Sequence, residues 1–420
     1  MLDIKFIREN AILVNEAAKK KHIDFDVSEL VAIDDKRLNL LKEVESLRAK
    51  QNAENDKIAA IKDNTEKEKV ILKMKKIKDK LAEYERELKK TEEKWIKIML
   101  MAPNIPDPSV PEGESDADNV EARKWGELPK FDFKPRAHIE LMEKLNLVDL
   151  ERGVKVAGFR GYFLKGEAAL MSMALWQMAL DKMVQKGFTP FIAPSLVKEE
   201  ALFGTGHFPK SREDVYKTQD DLYLAATAEI PMTNYFRDEI LKEEDLPKTY
   251  AAFSPCFRRE AGSHGKDTKG IYRLHEFAKV EQFVLCKADH QESVNWHEEI
   301  TKNAEEILQE LKLPYRVVVN CTGDTGQANV KTYDIEVWIP SENKYRESHS
   351  ASYYHDFQAR RANIRYKTKD GKIKFAYTLN NTAIATPRIL ISILENYQQK
   401  DGSVIVPKVL RKYLGKDLIS

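Results

Sequence analysis

The chain has 420 residues, of which 33% are charged, and 69 basic against 68 acidic side chains leave a formal net charge of +1. This length predicts two or three domains. Near-neutrality argues against a general polyanion binder such as a DNA-coating protein, although it is compatible with a local basic patch.

Three further features concern location. No run of about 18 uncharged apolar residues predicts a membrane span, and the N-terminus lacks the apolar segment of a secretory signal. The only cysteines, Cys256, Cys286 and Cys321, are far apart, so neither a disulfide framework nor a CxxC zinc site is expected. We therefore predict a cytoplasmic protein with neither a membrane nor DNA as a partner.

Residues 28–100 carry apolar side chains in heptad steps, which predicts two helices of an antiparallel coiled-coil hairpin joined by a turn at 62–65. Its second seam comprises Val70, Met74, Ile77, Leu81, Tyr84, Leu88, Thr91, Trp95 and Ile98, and its looser first seam Ile33, Leu40, Val44, Leu47, Ile58 and Ile61. Periodicity alone favours a dimerisation coiled coil or scaffold over a nucleic-acid arm. The lysines at 73, 75, 76, 78 and 80 leave the second alternative open.

Three prolines between 103 and 108 end the second helix, and the polar stretch 103–134 is interpreted as a linker. Residues 135–420 have the composition of a globular domain. Helices are predicted over 166–187 and 383–398, a turn and strand over 187–194, and strands over 248–260, 277–286, 317–320, 333–339 and 374–379. Because the strands are separated by turns and long loops, an antiparallel sheet is favoured over a doubly wound one. The absence of GxGxxG and GxxxxGK[ST] patterns gives no support for a Rossmann fold or a P-loop.

The most informative stretch is 257–277, where two strand-like segments flank a loop with three glycines. Arg258 and Arg259 open it, and Phe277 stands at its far base. Arginines in such a place can hold phosphate oxygens with their planar guanidinium groups, and an aromatic ring can stack on a nucleobase. The alternative from composition alone is a surface hairpin with scattered charges.

This stretch resembles motif 2 of class II aminoacyl-tRNA synthetases, and further motifs narrow the resemblance to the seryl-tRNA synthetase family. Helix 166–187 with Gly187 and Pro194 resembles motif 1, 227–229 resembles the serine-binding Thr-Ala-Glu signature, and 379–398 resembles motif 3. The resemblance covers nearly the whole chain. It implies an α+β fold: an antiparallel β-sheet catalytic core at 135–420 and a tRNA-binding domain at 1–102 whose arm is a helical coiled coil.

The resemblance implies a serine site at Thr227, Ala228, Glu229, Glu281, Asn380 and Thr382. Within it, Glu229 would meet the α-ammonium group and Glu281 would accept the side-chain hydroxyl. A buried carboxylate rejects alanine, because its own hydrogen bond would then go unmade. The alternative for a single carboxylate of this kind is a structural ion pair.

The implied ATP site comprises Arg258, Arg259, Glu260, Leu274, His275, Glu276, Phe277, Glu347, Ser348, His349, Ser350 and Arg388. Arg258 would contact the α-phosphate and Arg388 the γ-phosphate, and with Glu347 they are the implied catalytic residues. Glu347 and Ser350 would hold Mg²⁺ together with ATP, and no zinc is expected. Both reactants are anionic, so arginines and Mg²⁺ offset their charge.

Two segments depart from the family's bacterial pattern. Asn380-Asn381-Thr382 stands where Asn-Gly-Ser is common, and 347–353 differs mainly at Ser348, His349 and Ala351. Glu276 also replaces a usual Gln. None of these changes removes a phosphate-binding arginine.

The implied activity is serine activation with ATP to seryl-adenylate, followed by transfer to the 3′ end of tRNA(Ser), with tRNA(Sec) left open as a second acceptor. The implied assembly is a homodimer with motif 1 at its interface. Two alternatives are an amino acid:carrier-protein ligase and a non-catalytic paralogue acting as an interaction module. The arm argues against the first alternative, and the intact set of charged site residues argues against the second.

Overall fold

The structure, a computed structural model, describes residues 1–60, 63–262, 265, 267 and 270–420, with the side chains of 57–60 excepted. It divides into two compact units, Leu2–Pro103 and Asn104–Ser420. None of the helices in the described part of the chain is long and apolar enough to cross a membrane.

The N-terminal unit is helical: α1 is Ile4–Glu9, α2 Ala11–Lys20, α3 Val27–Ala60 and α4 Asn64–Met101. The Asp63 carboxylate accepts hydrogen bonds from the backbone N–H groups of Thr65 and Glu66, and it thereby caps α4. This cap lies at the predicted turn. Three predicted positions there, the side chain of Ile58 and all of Ile61 and Lys62, lie outside the described residues.

Helices α3 and α4 form the predicted antiparallel hairpin. Leu40, Val44 and Leu47 on α3 are buried against Leu81 and Leu88 on α4. Ion pairs cross between the helices at Lys36–Glu87, Arg48–Glu85 and Glu54–Lys73. Since the residue number rises along one helix as it falls along the other, the helices run in opposite directions. The heptad prediction is confirmed for the described residues.

The larger unit mixes strands and helices. Its strands are β1 Val120–Trp125, β2 Val148–Asp149, β3 Phe163–Leu164, β4 Thr189–Ile192, β5 Leu196–Val197, β6 Tyr223–Leu224, β7 Ile240–Lys242, β8 Lys248–Phe257, β9 Glu276–Cys286, β10 Tyr315–Val319, β11 Lys331–Ile339, β12 Lys344–Tyr353, β13 Arg365–Lys367, β14 Ile373–Phe375, β15 Tyr377–Thr386, β16 Val404–Ile405 and β17 Leu418–Ile419. Its α-helices are α5 His138–Lys144, α6 Leu150–Ala157, α7 Glu167–Gln185, α8 Glu199–Thr205, α9 Glu229–Thr233, α10 His290–Glu310, α11 Phe357–Ala362, α12 Arg388–Asn396 and α13 Arg411–Leu414.

Eight strands form one sheet in the order β1-β10-β11-β12-β15-β9-β8-β4. Neighbouring strands are antiparallel throughout, apart from the parallel pair β8 and β4 at one edge. The predicted antiparallel sheet is therefore confirmed. Small sheets pair β14-β13-β7, β16-β17, β2-β3 and β5-β6.

One face of the central strands is covered by α10. The side-chain amides of Gln282 on β9 and Asn381 on β15 both donate to the Ile300 carbonyl of that helix. His297 on α10 bonds the Ala351 carbonyl of β12. Because side chains alternate between faces along a strand, the neighbours of these residues on β9 and β15 point the other way, where they are free to line a site.

The structure corrects two sequence interpretations. The predicted linker 103–134 contains β1, which pairs with β10 at the sheet edge, and its first residues are held by hydrogen bonds from Asn104 to the Gln327 and Ala328 carbonyls. Its polar composition reflects an edge strand whose side chains are mostly exposed. The predicted helix 383–398 begins only at Arg388, because Ala383–Thr386 completes β15. A short apolar run fits a buried strand as well as a helix.

Candidate active site

A cleft opens on the sheet face opposite α10, above the adjacent strands β12, β15, β9 and β8. Fourteen of the predicted site residues line it: Thr227, Glu229, Arg258, Glu260, Leu274, Phe277, Glu281, Glu347, Ser348, His349, Ser350, Asn380, Thr382 and Arg388. These residues come from five separate stretches of sequence, and the sheet order is what brings them together.

Strand β9 supplies the floor of the cleft. Phe277, Lys279 and Glu281 alternate along it and all face the cleft, while Val280 and Gln282 are buried on the helical side. Thr382 on β15 lies directly across from Glu281 in the strand register. Because side chains alternate along a strand, an aromatic ring, a cation and an anion lie next to one another on the cleft face of β9.

The inner end of the cleft holds a buried ion pair. Lys279 Nζ lies 2.6 Å from Glu281 Oε2, and it also donates to Thr227 Oγ1 at 2.8 Å. The Thr382 hydroxyl reaches the same Glu281 oxygen at 3.4 Å. Glu281 is only 2% exposed. Burial raises its pKa, and the charge of Lys279 offsets part of that rise.

A second buried carboxylate, Glu229, stands at the start of α9. Gln358 donates its side-chain amide to Glu229 Oε1 at 2.7 Å. Burial raises the pKa of Glu229, and the hydrogen bond from Gln358 and the charge of Lys279 act against that rise. Nearby, the Tyr354 hydroxyl donates to Asn380 Oδ1 at 3.2 Å. This end of the cleft is thus acidic and largely closed to water.

The outer end is built around Arg388, the first residue of α12. Its Nη1 lies 3.2 Å from Glu347 Oε1, and its guanidinium lies 4.5 Å from the centre of the Tyr272 ring. The Tyr272 hydroxyl donates to the Glu347 carbonyl at 2.6 Å, and Arg346 packs on the same ring at 3.8 Å. Contacts from strand β12 and from the loop before β9 therefore fix the position of the arginine.

Glu347 differs from the inner carboxylates because its side chain is 48% exposed. Partial desolvation opposes its ionisation, but Arg388 and Arg258 outweigh that effect, so its pKa lies below the ordinary value. Burial acts to lower the pKa of Arg388, but the combined attraction of Glu347, Tyr272 and Glu260 outweighs burial and raises it. The outer end therefore presents a stable carboxylate beside permanent cations.

Arg258 and Phe277 stand between the two ends. The Arg258 guanidinium lies 5.2 Å from the centre of the Phe277 ring, and the Arg258 backbone N–H donates to the His275 carbonyl at 2.9 Å. Glu260 accepts a hydrogen bond from Arg273 at 2.7 Å. The arrangement provides a cation next to an aromatic face, as a nucleotide site requires.

Four predicted residues do not line the cleft: Ala228, Arg259, His275 and Glu276. Ala228 is fully buried before α9, and Glu276 is exposed at the start of β9. His275 Nδ1–H donates a hydrogen bond to the Arg258 carbonyl at 2.9 Å. Arg259 lines a separate groove. Side chains alternate along an extended chain, which accounts for Arg259 pointing away from the cleft that its neighbours Arg258 and Glu260 line.

Several cleft residues were not assigned from sequence: His207, Tyr272, Arg273, Lys279, Asn329, Ser352 and Tyr354. Lys279 could have been found, because it lies two residues before Glu281 on a predicted strand and so shares its face. Tyr272 and Arg273 belong to the motif 2 stretch itself. His207 lies in a segment without any predicted element, and no sequence signal marked it.

In the part of the chain that the structure describes, no three His, Cys, Asp or Glu side chains are grouped so as to hold a metal ion. The acidic Asp334, on β11 opposite Ser350, accepts a hydrogen bond from Asn320 at 2.9 Å. Burial, followed by repulsion from Glu347, raises the pKa of Asp334 to about 8.

Comparison with known proteins gives matches over the full chain. Residues 1–106 match the seryl-tRNA synthetase N-terminal domain, and residues 213–397 match the tRNA synthetase class II core domain (G, H, P, S and T). The serine–tRNA ligase of Deinococcus radiodurans is 49% identical over 99% of this chain and 98% of its own length. That of Thermodesulfovibrio yellowstonii is 47% identical, with both chains covered completely.

Solved structures agree with these matches. A seryl-tRNA synthetase from Pyrococcus horikoshii complexed with ATP has a TM-score of 0.91 at 42% identity, covering 100% of this chain and 99% of its own. A cytoplasmic serine–tRNA ligase from Naegleria fowleri in complex with AMP has a TM-score of 0.86 at 29% identity, with the same coverage. The chain therefore belongs to the seryl-tRNA synthetase family of class II aminoacyl-tRNA synthetases.

Proposed function

We propose that this protein activates L-serine with ATP, forming seryl-adenylate and pyrophosphate, and then transfers the serine to the 3′ end of tRNA(Ser). The observation that carries the proposal is a single cleft joining a buried Lys279–Glu281 pair to the half-buried cations Arg258 and Arg388. A small polar amino acid fits the first end, and a nucleoside triphosphate fits the second.

The inner end suits serine. Glu281 accepts the hydrogen bond of the serine hydroxyl, while Lys279 and Thr382 hold that carboxylate in place. Glu229 meets the α-ammonium group, whose positive charge favours the ionised carboxylate that burial alone disfavours. Alanine offers no hydroxyl, so binding it would leave a buried carboxylate oxygen without its hydrogen bond.

The outer end suits ATP and the first chemical step. The serine carboxylate attacks the α-phosphorus, the bond to pyrophosphate breaks, and the electron pair leaves with pyrophosphate. Arg258 neutralises charge on the α-phosphate, and Arg388 holds the γ-phosphate in line with the attack. Phe277 offers a ring on which adenine stacks. No protein nucleophile takes part.

The residues at the outer end also fit Mg²⁺ bound with ATP. Mg²⁺ prefers oxygen ligands and is usually held by one or two carboxylates together with phosphates and water. The Glu347 carboxylate is exposed to the cleft, its pKa is low, and the Ser350 hydroxyl also lines the cleft. When bound, the ion would offset phosphate charge. A site completed by phosphates and water needs no cluster of three acidic side chains.

The coiled-coil hairpin of α3 and α4 is proposed as the tRNA-binding arm, with residues 28–100 as its extent. The lysines at 75, 76, 78 and 80 are exposed on α4, where they can meet phosphates. RNA helices are recognised mostly by shape and backbone, which suits an arm of mixed charge. tRNA(Sec), which the sequence left open as an acceptor, is tested in the same assay.

A homodimer is proposed from exposed apolar side chains on the motif 1 elements. Met173 on α7 is 59% exposed, and Ile192 on the edge strand β4 is 86% exposed. Apolar side chains grouped at a sheet edge mark an association surface. We expect a sedimentation mass of two chains, and an Ile192→Glu, Met173→Glu variant should sediment as one.

We also propose a cytoplasmic location, because of the state of the cysteines. Cys256, Cys286 and Cys321 are free, buried thiols, as is usual in reducing compartments. Neither alternative function is favoured by the comparisons, because the matched relatives are serine–tRNA ligases with the N-terminal domain included.

Serine transfer to tRNA(Ser) and tRNA(Sec) transcripts tests the proposal. The full chain should charge tRNA(Ser), whereas replacement of residues 28–100 by a short linker should abolish charging and retain serine-dependent ATP–pyrophosphate exchange. A full chain with alanine at Lys75, Lys76 and Lys78 should bind tRNA more weakly, with a smaller salt dependence, while arginine at the same positions is the charge-matched control. Charging by the truncated chain would overturn the role of the arm.

A further inference from the structure

His207 stands where two clefts meet. It lines the main cleft, and it also lines a second one of about 430 Å³ that Ser211, Asp214 and Val215 border. That volume lies within the range of small-molecule pockets. The chain reaches this point through Gly206, whose φ of +91° ends α8 and turns the backbone. A molecule lying in the second cleft would therefore enter the main cleft beside the imidazole.

One arrangement satisfies both the helix contact and the imidazole contact of the Thr205 hydroxyl, and it places the proton of His207 on Nδ1. The Thr205 hydroxyl donates its one hydrogen to a helix carbonyl, that of Leu202 at 3.2 Å or Ala201 at 3.4 Å. The Thr205 oxygen is then the acceptor for His207 Nδ1–H at 2.8 Å. Nε2 consequently carries a lone pair, and among the described residues it has no hydrogen-bond partner.

The surroundings keep this imidazole neutral. Burial, together with the charges of Arg258 and Lys279, lowers the pKa of His207 to about 4. Arg258 belongs to the proposed α-phosphate site and Lys279 to the serine pocket. His207 thus lies close to both groups that bracket the carboxyl carbon of a bound seryl-adenylate, the carbon that the second reaction attacks.

We propose that His207 Nε2 accepts the hydrogen bond of the attacking ribose hydroxyl, and that the terminal nucleoside of the acceptor RNA lies in the second cleft. The inference rests on the proposed function and assigns a positioning group to its second step. The ribose oxygen forms a bond to the carboxyl carbon, the bond from that carbon to the phosphate oxygen breaks, and the hydroxyl proton leaves with AMP. His207 orients the oxygen lone pair, and it ends the step in the same neutral form.

Single-turnover transfer from the isolated enzyme–seryl-adenylate complex to tRNA(Ser) tests the proposal, because a defect in the first step does not enter that rate. His207→Ala should slow transfer about 100-fold, the usual effect of misplacing a reacting atom. His207→Gln offers an amide oxygen as the acceptor and should lie within about 10-fold of the wild-type rate, since a neutral hydrogen bond survives. His290→Ala is the control for loss of a histidine elsewhere, at a side chain that is 56% exposed.

Thr205 supplies a second test that leaves the imidazole in place. Thr205→Val removes the acceptor for Nδ1–H at nearly constant shape and should slow transfer about 10-fold, because the ring loses its fixed tautomer. Thr205→Ser keeps the hydroxyl and should restore the rate.

Three outcomes would overturn the inference: wild-type transfer by His207→Ala, a His207→Gln variant as slow as the alanine variant, or equal rates for Thr205→Val and Thr205→Ser. A wild-type chain that forms no seryl-adenylate would instead refute the proposed function itself, so the two failures are distinguishable.

Discussion

The two ends of the cleft shift the pKa of their carboxylates in opposite directions. Glu281, at the inner end, is 2% exposed, and burial raises its pKa even with Lys279 beside it. Glu347, at the outer end, is 48% exposed, and two arginines lower its pKa. Burial therefore disfavours the ionised carboxylate at the inner end, whereas the arginines stabilise the ionised carboxylate at the outer end.

This difference in burial and pKa suits the two ends to different tasks: the inner end selects the amino acid, and the outer end promotes the reaction with ATP. A buried carboxylate with few partners gains most from a ligand that completes its hydrogen bonds, so the inner end can discriminate between amino acids that differ by one hydroxyl. Exposed charges gain little selectivity from a ligand, but permanent cations fixed before binding stabilise charge that develops on phosphates. We therefore expect substitutions at the outer end to lower the rate of adenylate formation, and substitutions at the inner end to lower the selectivity for serine.

Arg388→Ala should have the largest effect, because it removes the fixed cation of the outer end. We expect serine-dependent ATP–pyrophosphate exchange to fall about 1000-fold, the upper range for one electrostatic group. Arg388→Lys keeps the charge without the planar fork and should fall less. Arg152→Ala, at a side chain that is 75% exposed, is the control, and circular dichroism should show all three folded. Normal exchange by Arg388→Ala would remove that residue from the mechanism.

Glu281→Gln should come next. It keeps the shape of the side chain but leaves Lys279 without its counter-charge, so kcat/KM for serine should fall about 100-fold, as for loss of a charged hydrogen bond. The ratio of serine to alanine exchange should shrink with it, whereas the KM for ATP should change little. A variant with an unchanged serine-to-alanine ratio would show that another residue reads the hydroxyl.

The Lys279–Glu281 ion pair should also make the protein less stable than apolar side chains at the same two positions would. A buried ion pair is often replaced by apolar residues at no loss, or with a gain of about 2 kcal/mol in the free energy of unfolding. We expect Lys279→Met, Glu281→Leu to be inactive yet at least as stable as the wild type in urea, and Lys279→Met alone to be less stable. A double variant that is less stable than the single one would contradict the view that the pair serves function.

Asp334 should give the smallest effect. Its folded pKa of about 8 lies above the unfolded value, so the native state binds more protons and its contribution to the free energy of unfolding falls as pH rises from about 4 to 8. Asp334→Asn lacks this loss, so its free energy of unfolding should fall less than that of the wild type between pH 5 and pH 9. Asp132→Asn, at a 79% exposed side chain, is the control. Parallel pH profiles for wild type and Asp334→Asn would refute the assignment.

Sequence reasoning succeeded where a repeating pattern or a contiguous motif carries the information. The heptads place α3 and α4, and the motif segments name Arg258, Glu281, Glu347 and Arg388, all of which line the cleft or pair within it. These groups come from stretches that can each be interpreted without knowledge of the others.

What the sequence left out depends on pairing between distant segments. Strand β12 was not predicted, because its polar residues face the cleft and only its positions between β11 and β15 identify it as a central strand. Ala383–Thr386 is a strand for the same reason. Asp334 lies opposite Ser350 only through strand register, and His207 reaches the cleft through a loop of no recognisable pattern.

ATP–pyrophosphate exchange with the full chain and each of the twenty amino acids in turn tests the central claim most directly. Exchange stimulated by serine, with alanine, glycine and threonine near background, is the predicted result, since the inner end is built to complete one hydroxyl hydrogen bond. Exchange that favours another amino acid, or no exchange with any of them from a folded protein, would contradict the proposed division between the two ends of the cleft.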